Sequence, residues 1–572
     1  MLEVLKSKFS LFINKIFEIY NKHPEIYTVL GLGLLFYFIF FHGIGTYYLM
    51  DVDETRYVAM SRDMYHSKDF LTLYLNGQYF FEKPPLYFWQ ECLSFALWGG
   101  KINEWTARFP VALLGFIFSM LVYFTSRKRI SKRFGVFTSL IIATSLEFII
   151  LAKYAILDIV LTFYIGLALV SYFQIFFCHE NHKKYYWWAF YLFLGLAVMA
   201  KGIPGIAIPL GTVFFTSIMA KKFKEIFKPV YLIPGIIIFS LIVLPWHIIM
   251  FYKYDPLFFN EYIIKHHLHR FLNTAHNEIG RKQPFYYYFL VLLWGFIPWI
   301  FSFVAVGIDK IKNWSKLHYF DKAKNFDFAS LDDVHKMMAL CWVTIIWIMF
   351  FYTSSSTKLA TYILPVYYPL AIVTGLMWQD YVDQKKHEKP INISVNILGW
   401  VCMIAGVVAI FTPLYLPAQL NHDIAEARWF CLICLIIFGL ISVLCVKYKK
   451  YLGVFIIYVT LMTVVSAFST EEFFEIDYKF GQKDLVEFAQ YAQKHDYTIS
   501  GNGMSRKYSL LYYNDELVDY NPEEVNLEVI KKDLAKKDNV VIILNKRMPD
   551  IEGKLNYKVI KIGRRYTMIK GI

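Results

Sequence analysis

The chain has 572 residues, 57% of them hydrophobic and 19% aromatic, with a mean hydropathy of +0.41. A water-soluble globule has no interior able to hide that much apolar surface, whereas a bilayer accepts it. The formal net charge of +14 would suit a nucleic-acid partner, but the sequence carries no Arg-rich tract or nucleic-acid motif. Its cations cluster in short loops between apolar runs, so the excess reads as membrane topology. The seven cysteines lie in or beside apolar segments and define no disulfide framework.

In chain order, the first apolar run is too long for the core of a cleavable signal and lacks a small-residue cleavage pattern, so it reads as an anchor. Runs of about 20 apolar residues, the unit that covers ~30 Å of hydrocarbon, recur about thirteen times. They fall near 27–48, 107–125, 134–152, 155–178, 185–200, 203–219, 229–251, 286–308, 338–353, 359–377, 394–416, 428–446 and 451–468. The shorter stretch LYFWQECLSFALWGG, 86–100, carries Glu91 and reads as an amphipathic helix lying at the interface.

Every second loop is rich in Lys and Arg, from Lys22 through Arg127–Arg133, Lys183–Lys184, Lys221–Lys228, Lys310–Lys316 and Lys385–Lys389 to Lys447–Lys450. By the positive-inside rule these loops and the N-terminus are cytoplasmic, and the C-terminus is outside. Beyond Phe468 the composition turns charged and alternating. KDLVEFAQYAQKH (483–495) reads as a helix, NVVIILNK (539–546) as a buried strand and YKVIKIGRRYTMIKG (557–571) as a hairpin turning at Gly563-Arg564. The expected organisation is a membrane region, 1–470, with external loops 49–106 and 252–285, followed by a small external α/β domain, 471–572.

The out-of-place polar residues gather on the external side. DVDETRYVAMSRDM (51–64) puts Asp51, Asp53 and Glu54 at the mouth of the first span; Glu82 and Lys83 precede Pro84-Pro85. Lys153 and Asp158, Lys201, the KHHLHRF segment with Arg270, and Lys358 with Tyr362 follow on the same face. Ionisable groups at the edge of a span need partners or a watery cavity, and so many on one side point to one shared cavity. Carboxylates there suit hydroxyls or an amine, and lysines and arginines suit phosphate oxygens. Such a cavity fits glycosyl transfer from a phospholipid-linked sugar better than a transporter or flippase, whose sites lie at the midplane of repeated halves; no internal repeat is visible.

These segments, together with FFEKPPLYFW (80–89), Lys201-Gly202-Ile203-Pro204 and TKLATYILP (357–365), resemble the bacterial lipid A aminoarabinose transferase (ArnT-like) group of the protein O-mannosyltransferase superfamily. The resemblance implies a type C glycosyltransferase (GT-C) fold with a small C-terminal periplasmic domain, in the bacterial inner membrane. It implies transfer of a sugar from undecaprenyl phosphate, at the periplasmic face, to lipid A or a related glycolipid, a modification that gives polymyxin resistance. Carried over by position, Asp53 and Asp158, with the adjacent Glu54, are the candidate catalytic acids. Lys83, Arg56, Lys201 and Tyr362 would bind the donor phosphate, with Asp51, Glu82, Lys153, Arg270 and Lys358 as further cavity residues. No cofactor is required by this chemistry; the resemblance alone adds a Glu82–His267 bridge as a candidate pair for zinc or magnesium. On a helix His266 and His269 share a face and His267 does not, so a cluster of all three is not expected. The sugar stays open between an amino sugar, aminoarabinose or galactosamine, and mannose, as does the acceptor between lipid A and a protein hydroxyl.

Overall fold

The computed structural model describes residues 22–269, 283–313, 326–355, 357–415, 425–477, 482–521 and 524–572. Among the described residues, nine helices are long and apolar enough to cross a membrane, from Pro24–Phe41 to Tyr451–Phe468. The other four expected spans are short, charged at their ends or interrupted. The 134–152 run is Lys132–Ala143 followed by Leu146–Leu151, and 286–308 is Tyr287–Gly295 followed by Trp299–Lys312. Pro298, without an amide hydrogen, cannot continue the first of the latter pair and opens the second. The runs at 185–200 and 203–219 are Lys183–Lys201 and Ile203–Met219, joined directly at Gly202. Gly202 has φ +82, so the chain reverses without a loop, which a residue with a side chain would resist.

The first helix stops at Phe41, short of the expected 48. Residues beyond it are irregular, and a buried guanidinium takes up their carbonyls. Arg108, fully buried near the start of the helix Glu104–Arg129, donates to Ile44 O and Tyr47 O at 2.8 Å and to Tyr48 O at 2.9 Å. The same group forks onto Glu54, Nε to Oε1 and Nη2 to Oε2 both at 2.8 Å. Glu54 also accepts from Met50 N at 2.9 Å and Ala155 N at 2.7 Å. Irregular backbone at a membrane edge is tolerated when its polar groups are satisfied in this way.

Beyond this irregular stretch, the region between the first two spans holds two helices and a hairpin. Helix Asp53–Ser67 is followed by a hairpin, β1 (Tyr74–Leu75) and β2 (Gln78–Tyr79), then Pro84-Pro85 and helix Leu86–Leu97. The hairpin turns on Asn76-Gly77, with φ +52 and +76, the left-handed pair that a two-residue turn of this hand requires.

The last span continues to Asp477. The C-terminal part then forms the expected helix, Lys483–Lys494, and a five-stranded sheet: β3 (Thr498–Asn502), β4 (Val518–Tyr520), β5 (Asn539–Leu544), β6 (Tyr557–Ile562) and β7 (Tyr566–Gly571). The order is β4-β3-β5-β7-β6, with β3 parallel to β4 and β5, and β7 antiparallel to β5 and β6. Alternation along β5 sends Val540 and Ile542 to one face, against Leu485, Phe488 and Ala492 of the helix. It sends Val541 and Ile543 to the other, against Ile530 and Leu534.

Candidate active site

The helix Asp53–Ser67 begins with its own ion pair. Asp53 and Arg56 lie one turn apart, and Arg56 Nη2 donates to Asp53 Oδ1 at 2.8 Å and to the Tyr57 hydroxyl at 2.9 Å. Asp53 is 51% exposed and Arg56 19%, so the acid remains open to a ligand while the cation is half sunk between the Tyr57 and Phe80 rings. Burial works against the charge on Arg56, but Tyr57, Asp53 and Glu82 outweigh it and hold the guanidinium above its ordinary range.

A second acid–cation pair comes from distant segments. Asp158 lies in the first turn of helix Leu157–Gln174, where the positive end of the helix dipole favours a carboxylate. Lys201 ends helix Lys183–Lys201 at the Gly202 reversal. Its Nζ donates to Asp158 Oδ1 at 2.6 Å and lies 4.5 Å from the centre of the Tyr362 ring. Tyr57 ties the two pairs together: burial raises its hydroxyl, Arg56 lowers it, and Asp53, Glu82 and Asp158 all act on it from nearby.

Lys83 is buried beside the Pro-Pro turn, its Nζ donating to Glu82 O at 3.2 Å. Glu82 Oε1 approaches His266 Nε2 at 3.9 Å, and Glu261 reaches the same nitrogen at 3.5 Å. Burial lowers the His266 imidazole, with Glu82 pulling the other way and Lys83 reinforcing it. His266 is thus one neighbour of Glu82; the His267 side chain and Arg270 lie outside the described residues. Among the described residues no group of three His, Cys, Asp or Glu side chains could hold a metal ion.

Four expected site residues have other employment. Glu54 has no exposed surface, and its two oxygens are taken by Arg108 and two backbone amides, so it is a structural clasp and not a catalytic acid. Asp51 accepts from Ser509 N at 2.8 Å, Ser509 Oγ at 2.7 Å and Thr55 Oγ1 at 2.6 Å, which ties it to the C-terminal helix Tyr508–Asn514. Burial raises its carboxyl, against those hydrogen bonds. Lys153, 2% exposed, donates to His42 O at 3.1 Å and Ser466 O at 2.9 Å, fastening the first span to the last. Lys358 donates to Ser355 O at 2.5 Å and Gln283 O at 3.3 Å, and burial lowers its ammonium.

The structure therefore brings together Asp53, Arg56, Glu82, Lys83, Asp158, Lys201 and Tyr362, and adds Tyr57 and His266. Sequence reading missed Arg108, although an arginine just inside an apolar run is itself a signal that it has a buried partner. Tyr57 gave no signal in a chain with 43 tyrosines.

Residues 25–256 match the family model described as Dolichyl-phosphate-mannose-protein mannosyltransferase. A protein of Serratia proteamaculans (strain 568), named Undecaprenyl phosphate-alpha-4-amino-4-deoxy-L-arabinose arabinosyl transferase, is 27% identical over 436 residues, 72% of this chain and 71% of that one. An uncharacterized protein of Aquifex aeolicus (strain VF5) is 27% identical over 373 residues, 65% of this chain and 67% of its own. The crystal structure of ArnT from Cupriavidus metallidurans bound to undecaprenyl phosphate shares the fold, with a TM-score of 0.75 over 95% of this chain and 97% of that one at 20% identity.

The fold and these relationships define a multi-pass inner-membrane enzyme of the GT-C class, a glycosyltransferase dependent on a polyprenyl-phosphate sugar. In sequence and fold the chain is similar to the ArnT-like group of the protein O-mannosyltransferase superfamily.

Proposed function

We propose that the enzyme moves an amino sugar, of the aminoarabinose or galactosamine type, from undecaprenyl phosphate to a lipid A phosphate at the periplasmic face of the inner membrane. The observation that carries this reading is the pairing of Asp53 with Arg56 and of Asp158 with Lys201, with both acids within electrostatic reach of the Tyr57 hydroxyl. Each pair offers a carboxylate for an ammonium or hydroxyl and a cation for a phosphate. The relatives named for aminoarabinose transfer support the same choice.

In the reaction the bond from the anomeric carbon to the donor phosphate oxygen breaks, and that carbon bonds to an oxygen of the acceptor phosphate. The electron pair stays on undecaprenyl phosphate, whose leaving oxygen gains charge. Lys83, with Arg56 or Lys201, would stabilise that charge, an effect worth about 3 kcal/mol for one well-placed donor. An acceptor phosphate is already ionised at neutral pH and needs no strong base, leaving Asp53 and Asp158 to orient the sugar. The added ammonium offsets charge on lipid A, which is why polymyxin, a polycation, would bind the modified surface less.

Mass spectrometry of lipid A from cells with and without the gene tests the reading. The expected result is an added amino-sugar mass on a phosphate that disappears with the gene. Unchanged lipid A with altered glycoproteins would overturn it in favour of protein O-mannosylation, the activity in the matching family's description. A reporter fused after Ile572 should be active only outside the cytoplasm; activity inside would move the site to the other face.

A further inference from the structure

We propose that the C-terminal sheet is a cross-brace that sets the separation of the two walls carrying Arg56 and Lys83, with Ser509 and Asn76 as positioning residues. The proposal rests on that reading of the transfer, in the form in which Arg56 joins Lys83 on the donor phosphate.

One piece of the C-terminal part grips both walls. On the first, both oxygens of Asp51 accept from Ser509, which opens helix Tyr508–Asn514 together with Tyr508. Asp51 N in turn donates to Gln482 Oε1 at 2.8 Å, and Gln482 Nε2 donates to Leu49 O. The grip therefore falls two residues before Asp53. Further along the same helix, Arg62 Nη1 donates to Tyr512 O at 2.9 Å and pairs with Asp515 at 2.7 Å.

On the second wall, Asn76 at the tip of the β1–β2 hairpin donates from Nδ2 to Val518 O at 2.8 Å and accepts from Val518 N at 2.9 Å. Val518 begins the edge strand β4, so the amide side chain fills the pair of backbone positions that another strand would take. The chain leaving this hairpin runs directly into Glu82 and Lys83. The base of the hairpin is held separately by membrane helix Pro229–Tyr254, through Trp246 Nε1 to Leu71 O at 2.9 Å and Tyr254 to Thr72 at 3.0 Å.

Ser509 and Val518 are linked by one short helix and its turn. The two walls are thus referred to a common frame outside the membrane. A cation that must meet developing charge on one phosphate is sensitive to such a reference, because a displacement of about 1 Å can lower turnover by roughly 10²-fold. Ground-state binding is less demanding, since a phosphate can follow either cation.

The test uses the full-length enzyme in lipid with two substitutions away from the reacting groups. Asn76→Gly keeps the left-handed turn and removes the amide; Ser509→Ala removes the hydroxyl. Amide hydrogen exchange should quicken over 73–84 in the first variant and over 50–57 in the second, with the spans unchanged. Turnover should fall about 10-fold in each, with KM for the lipid donor within about twofold of wild type. In a Lys83→Arg background, Asn76→Gly should have little further effect, because its action runs through Lys83. Unaltered exchange over 80–84 in Asn76→Gly, or wild-type turnover despite a lower melting temperature, would overturn the proposal. The exchange arm needs no substrate, so failure of the brace is distinguishable from failure of the transfer reading.

Discussion

Two acid–arginine pairs stand side by side where the first span ends, and they do opposite things. Glu54 and Arg108 have no exposed surface, and every charged edge is matched by a fork or a backbone group. Asp53 and Arg56, beginning one residue earlier, form a single contact and leave half of the acid open. The difference teaches that sequence position and charge do not separate a clasp from a site; what separates them is whether the neighbouring structure has already used the hydrogen-bonding capacity. A fully satisfied pair holds the backbone, and a partly satisfied one is available to a ligand.

The comparison breaks most visibly at the clasp. Arg108→Met leaves Glu54 buried without its cation and frees three carbonyls, and the expected loss is about 3–5 kcal/mol of stability. Thermal melts in detergent should show it as lost folded protein; a wild-type melt would mean that Glu54 finds another partner. At the open side the fold should survive and the chemistry should not. Lys83→Ala is expected to lower transfer by about 10²–10³-fold in protein that melts like wild type. Lys83→Arg should recover only part of this, because a planar fork does not reproduce a point cation.

Asp53→Asn sharpens the contrast further. With a phosphate acceptor and an amino-sugar donor, the loss in kcat/KM should be dominated by KM, with a shallow pH dependence. A fall of about 10²–10⁴-fold in kcat would instead make Asp53 a general base for a hydroxyl acceptor. Assays with a polyprenyl-phosphate sugar and a lipid A acceptor separate the two. Normal turnover in both Asp53→Asn and Asp158→Asn would remove the carboxylates from the site.

The effect that is smallest at any one step of pH concerns a buried acid with no cation. Glu91, on the helix Leu86–Leu97, accepts from Ser61 and Tyr87, yet burial outweighs those bonds and pushes its carboxyl up to about 8 from an ordinary 4.5. Its folded-state value lies above the unfolded one, so the folded state loses stability as pH rises between those values, by at most about 1.4 kcal/mol per pH unit. Glu91→Gln should melt like wild type at low pH and progressively better toward pH 8; parallel curves would refute the assignment.

Much of the architecture was readable from the residues. Nine of the thirteen apolar runs form long helices among the described residues, and the buried strand in 539–546 and the Gly563 turn form where local chemistry places them. The site was readable only in part. Asp53 and Glu54 are adjacent, and their division of labour depends on Arg108, 54 residues away from Glu54. The diversion of Asp51 depends on Ser509, 458 residues on. Lys153 reads as a cavity cation because backbone carbonyls at the ends of the first and last spans, which are among its partners, leave no mark in a sequence.

The Arg108 clasp also has a consequence for biogenesis. Glu54 leaves the ribosome well before the arginine that neutralises it, and the carbonyls of residues 44, 47 and 48 wait for the same group. The first hydrophobic segment cannot reach its final backbone path at the membrane edge until the second has entered beside it. Segments one and two therefore mature as a pair, and the acidic mouth of the enzyme is assembled only when the chain has been made at least as far as helix Glu104–Arg129.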